Sequence, residues 1–111
     1  MKKIKIYQLK EVEFRRDLNY CNHYISEGEY PELMRDKSSD YHNGEKIRKI
    51  WRIGRNIVTI NAGAWTYLDN KFVDTLTKMN IPYKLCNNIH GYWVEIPKEY
   101  FEINKLKEQT I

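Results

Sequence analysis

The sequence predicts an α+β fold: a two-layer sandwich in which an antiparallel sheet, made of two hairpins plus an N-terminal strand, carries helices packed on one face. Three observations lead there. Residues 47–60 hold two β-rich runs separated by Gly54-Arg55-Asn56, and residues 83–96 hold two more separated by a loop ending in Gly91. Between them, Leu68, Phe72, Leu76 and Met79 recur at helical spacing and form a single apolar stripe. Two sheets of half-apolar hairpin need a partner layer, and an amphipathic helix supplies it.

Each element has its own justification. Ile4 and Ile6 alternate with Lys5 and Tyr7, the period of a strand. Across residues 11–25, Phe14, Leu18, Cys21 and Ile25 follow the helical period, which predicts a helix. Residues 27–46 are polar and rich in turn formers, among them Gly28, Pro31, Ser38, Ser39, Asn43 and Gly44, and read as an irregular, loop-rich segment. In the first hairpin, Ile47, Trp51 and Ile53 mark the buried face, so that Arg48 and Arg52 point to solvent. The main helix has Asp69 as N-cap, with Leu68 and Val73 as a hydrophobic staple. Asn80 suits a left-handed helix end, and Pro82 forbids continuation. The second hairpin turns over the five residues 87–91. Pro97 then opens a short terminal helix, with Glu99 and Glu102 near its N-terminal end.

A chain of 111 residues fits one domain, residues 1–111, with a core large enough to need no metal or disulfide. No run approaches the roughly 18 apolar residues of a membrane helix. Met1-Lys2-Lys3 is not followed by an apolar stretch of the secretory kind. Cys21 and Cys86 are the only cysteines and are read as reduced thiols, so the expected location is cytoplasmic, with no membrane partner.

Catalytic chemistry finds little support. The three histidines, His23, His42 and His90, are far apart, and no metal-ligand spacing, Gly-rich phosphate loop or nucleophile elbow occurs. No cofactor, no metal site and no catalytic residue is expected. A cluster with acid–base character is Asp36, Asp40, His42 and Glu45, in which His42 with Asp40 or Glu45 would serve a small hydrolase or nuclease.

The clearest signal is charge. Lys46, Arg48, Lys49, Arg52 and Arg55 place five cations in ten residues without an acid, while the whole chain is only +4, so everything else sums to −1. Cations on a hairpin suit phosphates or an acidic protein surface. The nine Tyr, three Trp and three Phe divide into an expected core set, Trp51, Trp65, Phe72 and Trp93, and an expected contact pair, Tyr30 and Tyr41, in the loop-rich segment.

The opening Ile6-Tyr7-Gln8-Leu9-Lys10, followed by Arg16-Asp17, resembles the start of YodL-type domains on conjugative elements. Asn80-Ile81-Pro82-Tyr83, continuing to Val94-Glu95-Ile96-Pro97, resembles the helix–hairpin units of small ring-building or ferredoxin-like modules. Neither resemblance implies an activity or a functional residue. The expectation is thus a non-catalytic binding protein, encoded by a phage or other mobile element, that regulates or inhibits a protein partner such as a nucleic-acid enzyme. The alternative is direct nucleic-acid binding through the basic hairpin, and a hydrolase or nuclease using His42 with Asp40 or Glu45 comes third.

Overall fold

Backbone pairing begins with the β-branched runs. A computed structural model describes residues 3–8, 23–26, 33, 40–42, 45–63 and 66–104. In chain order these form β1 (Ile4–Gln8), β2 (His23–Ser26), β3 (Asp40–His42), β4 (Glu45–Ile53), β5 (Ile57–Gly63), α1 (Asn70–Lys78), β6 (Lys84–Asn88), β7 (Gly91–Pro97), one 3-10 turn (Lys98–Tyr100) and β8 (Phe101–Asn104). The sheet order is β6-β7-β5-β4-β2-β1-β8, with β3 paired to β4 outside that path.

The α+β class holds, but the two-layer antiparallel sandwich with several helices does not. The sheet is mixed, because β1 and β8 run parallel, with Ile4 opposite Phe101 and Ile6 opposite Ile103. Among the described residues α1 is the one α-helix. Connectivity explains the departure. Only Lys98–Tyr100 separate β7 from β8, yet β5, β4, β2 and β1 stand between them in the sheet. Five strand spacings in a flat sheet would be about 24 Å, whereas the link from Pro97 to Phe101 reaches at most about 14 Å. The sheet therefore curls, bringing its β8 end back towards the end of β7. Register shifts between Ile50 and Arg52 in β4, and between Asn61 and Gly63 in β5, supply bends of the kind bulges produce.

The concave face is apolar. Ile4, Ile6, Ile25, Ile50, Val58, Ile60, Ala62, Val94, Ile96 and Phe101 are buried in one cluster with Phe72 and Leu76 of α1, Ile81 and Leu33. The helix forms as its sequence dictates. Asp69 accepts a hydrogen bond on Oδ1 from the Phe72 N–H at 3.0 Å, Asn80 has φ +58, and the Ile81 N–H closes back on the Leu76 carbonyl. Gly63 ends β5 with φ +142, and a Cβ there would lie 2.4 Å from the Tyr67 carbonyl oxygen, so only glycine permits the close passage into α1.

Other local expectations shift. The helix expected over 11–25 fails at its end, since His23–Ser26 is a strand between β1 and β4, with Tyr24 opposite both Tyr7 and Lys49. Tyr24 and Ile25 are buried on opposite faces, and pairing on both edges overrides the helical spacing. Residues 11–22 lie outside the described residues. Within the segment read as irregular, 40–42 form β3 and β4 already starts at Glu45. The second hairpin turns over two residues, Ile89 and His90, because Asn88 pairs with Gly91 and its side chain accepts from the His90 N–H. The terminal helix is a single 3-10 turn before β8.

The largest correction concerns Arg48. It is fully buried, and so is Asp69. Arg48 Nε donates to the Leu33 carbonyl at 3.0 Å, Nη1 to the Asn61 carbonyl at 3.1 Å, and Nη2 to Asp69 Oδ2 at 2.5 Å. Its guanidinium carbon sits 4.2 Å above the Phe72 ring centre. The physical reason is the bulge. Arg48 and Ile50, two positions apart, go inward together, and only after Trp51 does Ile53 turn to the core.

Two outcomes follow. Asp69→Ala should cost about 3–5 kcal/mol, because it strands a buried guanidinium and removes a cap. In a cycle of Arg48→Met and Asp69→Ser, urea unfolding should give a coupling of about 2 kcal/mol. Additive costs would contradict a functioning pair. Separately, burial lowers the pKa of His23 below the ordinary 6.5. Its depressed folded pKa means the unfolded chain takes up the proton first, so stability is full above about pH 6.5 and falls as pH drops through the folded value. Urea midpoints measured from about pH 7.5 to pH 5 should fall in the native chain and fall less in His23→Gln.

Candidate functional site

Register partners share a face of the sheet, so the surface opposite α1 can be read off the ladders. One row runs Arg52–Thr59–Glu95–Lys84 across β4, β5, β7 and β6. The next runs Asn61–Trp93–Cys86. Trp51, the extra residue of the β4 bulge, lies with its ring centre 5.6 Å from that of Trp93 and tilted by 38°. The convex face of this half of the sheet therefore carries a tryptophan pair beside a row of polar and charged groups.

The turn after β4 extends it. The Gly54 N–H donates to the Ile57 carbonyl at 2.8 Å, closing Gly54-Arg55-Asn56. The Arg52 guanidinium folds back along Gly54: a Cβ at that position would come within 3.8 Å of its Nη2. Arg52, Gly54, Arg55, Asn56, Ile57, Thr59 and Glu95 line an open pocket of about 310 Å³. Arg52, Arg55 and Ile57 are exposed, and among the described residues no carboxylate pairs with either arginine. The site can receive an anionic group, with Glu95 as a nearby carboxylate and Thr59 and Asn56 as hydrogen-bonding neighbours.

The residues proposed from sequence thus separate. Arg52 and Arg55 come together in the pocket. Arg48 belongs to the core. Lys49 is half-buried opposite Tyr24. Lys46 lies in β4 with Tyr41 of β3 as its register partner. Tyr30 and Trp65 lie outside the described residues. His42 and Glu45 are opposite each other across the β3–β4 pair. Among the described residues no three metal-ligating side chains converge, and no helix is long and apolar enough to cross a membrane. Cys86 is a free thiol.

The expected aromatic core is corrected as well. Phe72 is buried, but Trp51 is 40% exposed and Trp93 only partly buried. The same bulge that turns Arg48 inward turns Trp51 outward. Sequence reading missed Trp51, Trp93 and Glu95 as surface partners of the arginines, and nothing short of the bulge position would have revealed them.

Stability should reflect this division. Phe72→Ala is expected to cost about 3–5 kcal/mol, Trp51→Ala less than about 2 kcal/mol, and Arg52→Ala no more than about 0.5 kcal/mol. Urea unfolding of the three variants measures it, and a Trp51→Ala loss equal to that of Phe72→Ala would make Trp51 a core residue after all. No family model, no curated protein and no solved structure matches the chain.

Proposed function

We propose that the chain is a small non-catalytic binding protein, a regulator or inhibitor that holds a protein partner on the convex face around Trp51, Trp93, Arg52 and Arg55. The observation that carries this reading is a tryptophan couple, Trp51 exposed and Trp93 half-buried, beside two arginines that no carboxylate among the described residues engages. Trp and Arg are the residues most enriched where interface energy concentrates, because they combine large stiff area with directional donors. A cation left unpaired at a pocket mouth costs nothing in water and gains when an acidic side chain docks. The partner suited to this face is a protein with a carboxylate beside an apolar patch. A nucleic-acid enzyme is one such partner, and a phage or other mobile element is the proposed source of the gene.

Single-stranded nucleic acid is the second reading. Tryptophan faces stack on bases, and arginines beside them meet phosphates. With Arg48 in the core and Lys49 half-buried, the exposed cations of this turn are Arg52 and Arg55. Such binding would be weak and would show a shallow salt slope, near two released counterions.

One experiment separates the readings. Native chain and the double variant Trp51→Ala/Arg52→Glu are used as bait in lysate, and retained proteins are titrated individually. A true partner should lose at least about 30-fold in affinity towards the variant. Identical retention by both baits sinks the protein reading. A single-stranded probe that binds at low salt and is released by the same variant would favour the second.

A further inference from the structure

Among the described residues β6 has a neighbour on one side only: β7. The direction of its backbone groups follows from the ladder. Asn88 pairs with Gly91 across a two-residue turn, and such closing pairs exchange both hydrogen bonds. Antiparallel ladders alternate, so Cys86 with Trp93 and Lys84 with Glu95 are also bonded pairs. Pro97 checks the parity. It stands opposite Ile57, at a position where β7 sends nothing towards β5, and it has no N–H to send. Leu85 and Asn87 consequently direct their N–H and C=O groups away from β7, four backbone groups on an open edge. Both residues are exposed, Leu85 by 42%.

We propose that this edge pairs with the β6 strand of a second copy of the chain, antiparallel about a two-fold axis through Cys86. Pairing all four open groups at once sets the register: Leu85 exchanges its bonds with Asn87 of the other copy, and Asn87 with Leu85. That sets Cys86 opposite its counterpart in a non-bonded pair, where Cα atoms stand about 4.5 Å apart. The sequence suits itself in this register. Lys84, the single charged residue of β6, faces the neutral Asn88, and no like charges oppose. The two Leu85 side chains lie diagonally across the axis, within reach of one another. Edge strands that avoid pairing carry bulges, prolines or several charges, whereas β6 has one lysine at its first position. The contact is isologous and closes after two copies. A five-residue edge buries far less than the ~1,200 Å² of a permanent dimer, so the association is concentration-dependent.

The test uses the full chain. Sedimentation over a dilution series should show monomer and dimer in exchange. In a Cys21→Ser background, mild oxidation at high concentration should trap a dimer through Cys86. Leu85→Pro deletes an outward N–H and leaves the β7 ladder intact, so it should abolish both signals with the fold retained by circular dichroism. Leu85→Lys, which keeps the backbone and sets two cations across the axis, should weaken dimerisation at least ~10-fold and decides the matter if the proline variant unfolds. A chain monomeric at every concentration overturns the proposal. So does a dimer indifferent to Leu85→Lys, or one that Cys86 fails to trap.

Discussion

The contact on which most of the described structure depends is the buried ion pair of Arg48 and Asp69. A guanidinium with no access to water must have its donors met by the protein, because each unmet one carries the cost of its lost hydration. Arg48 meets them from three directions: the carbonyl of Leu33, the carbonyl of Asn61 and the carboxylate of Asp69. Those groups are far apart in sequence. Asp69 is used twice, with Oδ2 on the arginine and Oδ1 capping α1 through the Phe72 N–H. The first turn of the helix is thereby fixed in azimuth against β4, and Phe72 is laid under the guanidinium. The net stability of such a pair is small once desolvation is counted. Its effect is on uniqueness, since a sliding strand or rotated helix would leave a buried charge without its partner.

The same pair explains why the outer surface has its character. Arg48 and Arg52 would share a face in an unbroken strand, four positions apart. The bulge at Trp51 changes the parity between them. One arginine becomes an internal strut and the other joins Arg55 at the turn. Trp51 is expelled to the convex side, where Trp93 meets it. A single inserted residue thus sends two arginines of one strand to opposite faces, one into the core and one to the lining of the pocket.

Sequence reading captured what local chemistry determines. Asp69, Asn80 and the stripe through Phe72 and Leu76 define α1 by capping and periodicity, and α1 stands where they place it. Both hairpins are legible from their turns, although the second closes over two residues rather than five. What escaped depends on non-local pairing. His23–Ser26 has helical spacing, yet it is held by strands on either side. The parallel β1–β8 pair arises because a three-residue link must close a curled sheet. Strict alternation along β4 sets Arg48 outside, and the bulge that reverses this is announced by no local residue. Of the cations singled out by charge, Arg52 and Arg55 alone come together at the pocket.

Face and edge are connected through the registered rows. The row that begins at Arg52 passes through Thr59 and Glu95 and ends at Lys84 on β6. The adjacent row, Asn61–Trp93–Cys86, is the one that a two-fold axis through Cys86 continues into the same row of another copy, reversed in direction. The convex surfaces then become one, with a tryptophan pair and an arginine pocket at each side. A partner that touches both pockets gains the second contact at high effective concentration, so a weak self-association would be strengthened by a partner that binds both faces at once. Linkage requires the converse: self-association raises affinity for a bivalent partner and leaves a monovalent one unchanged. The dependence of affinity on chain concentration therefore reports the valency of the partner, even before that partner is identified.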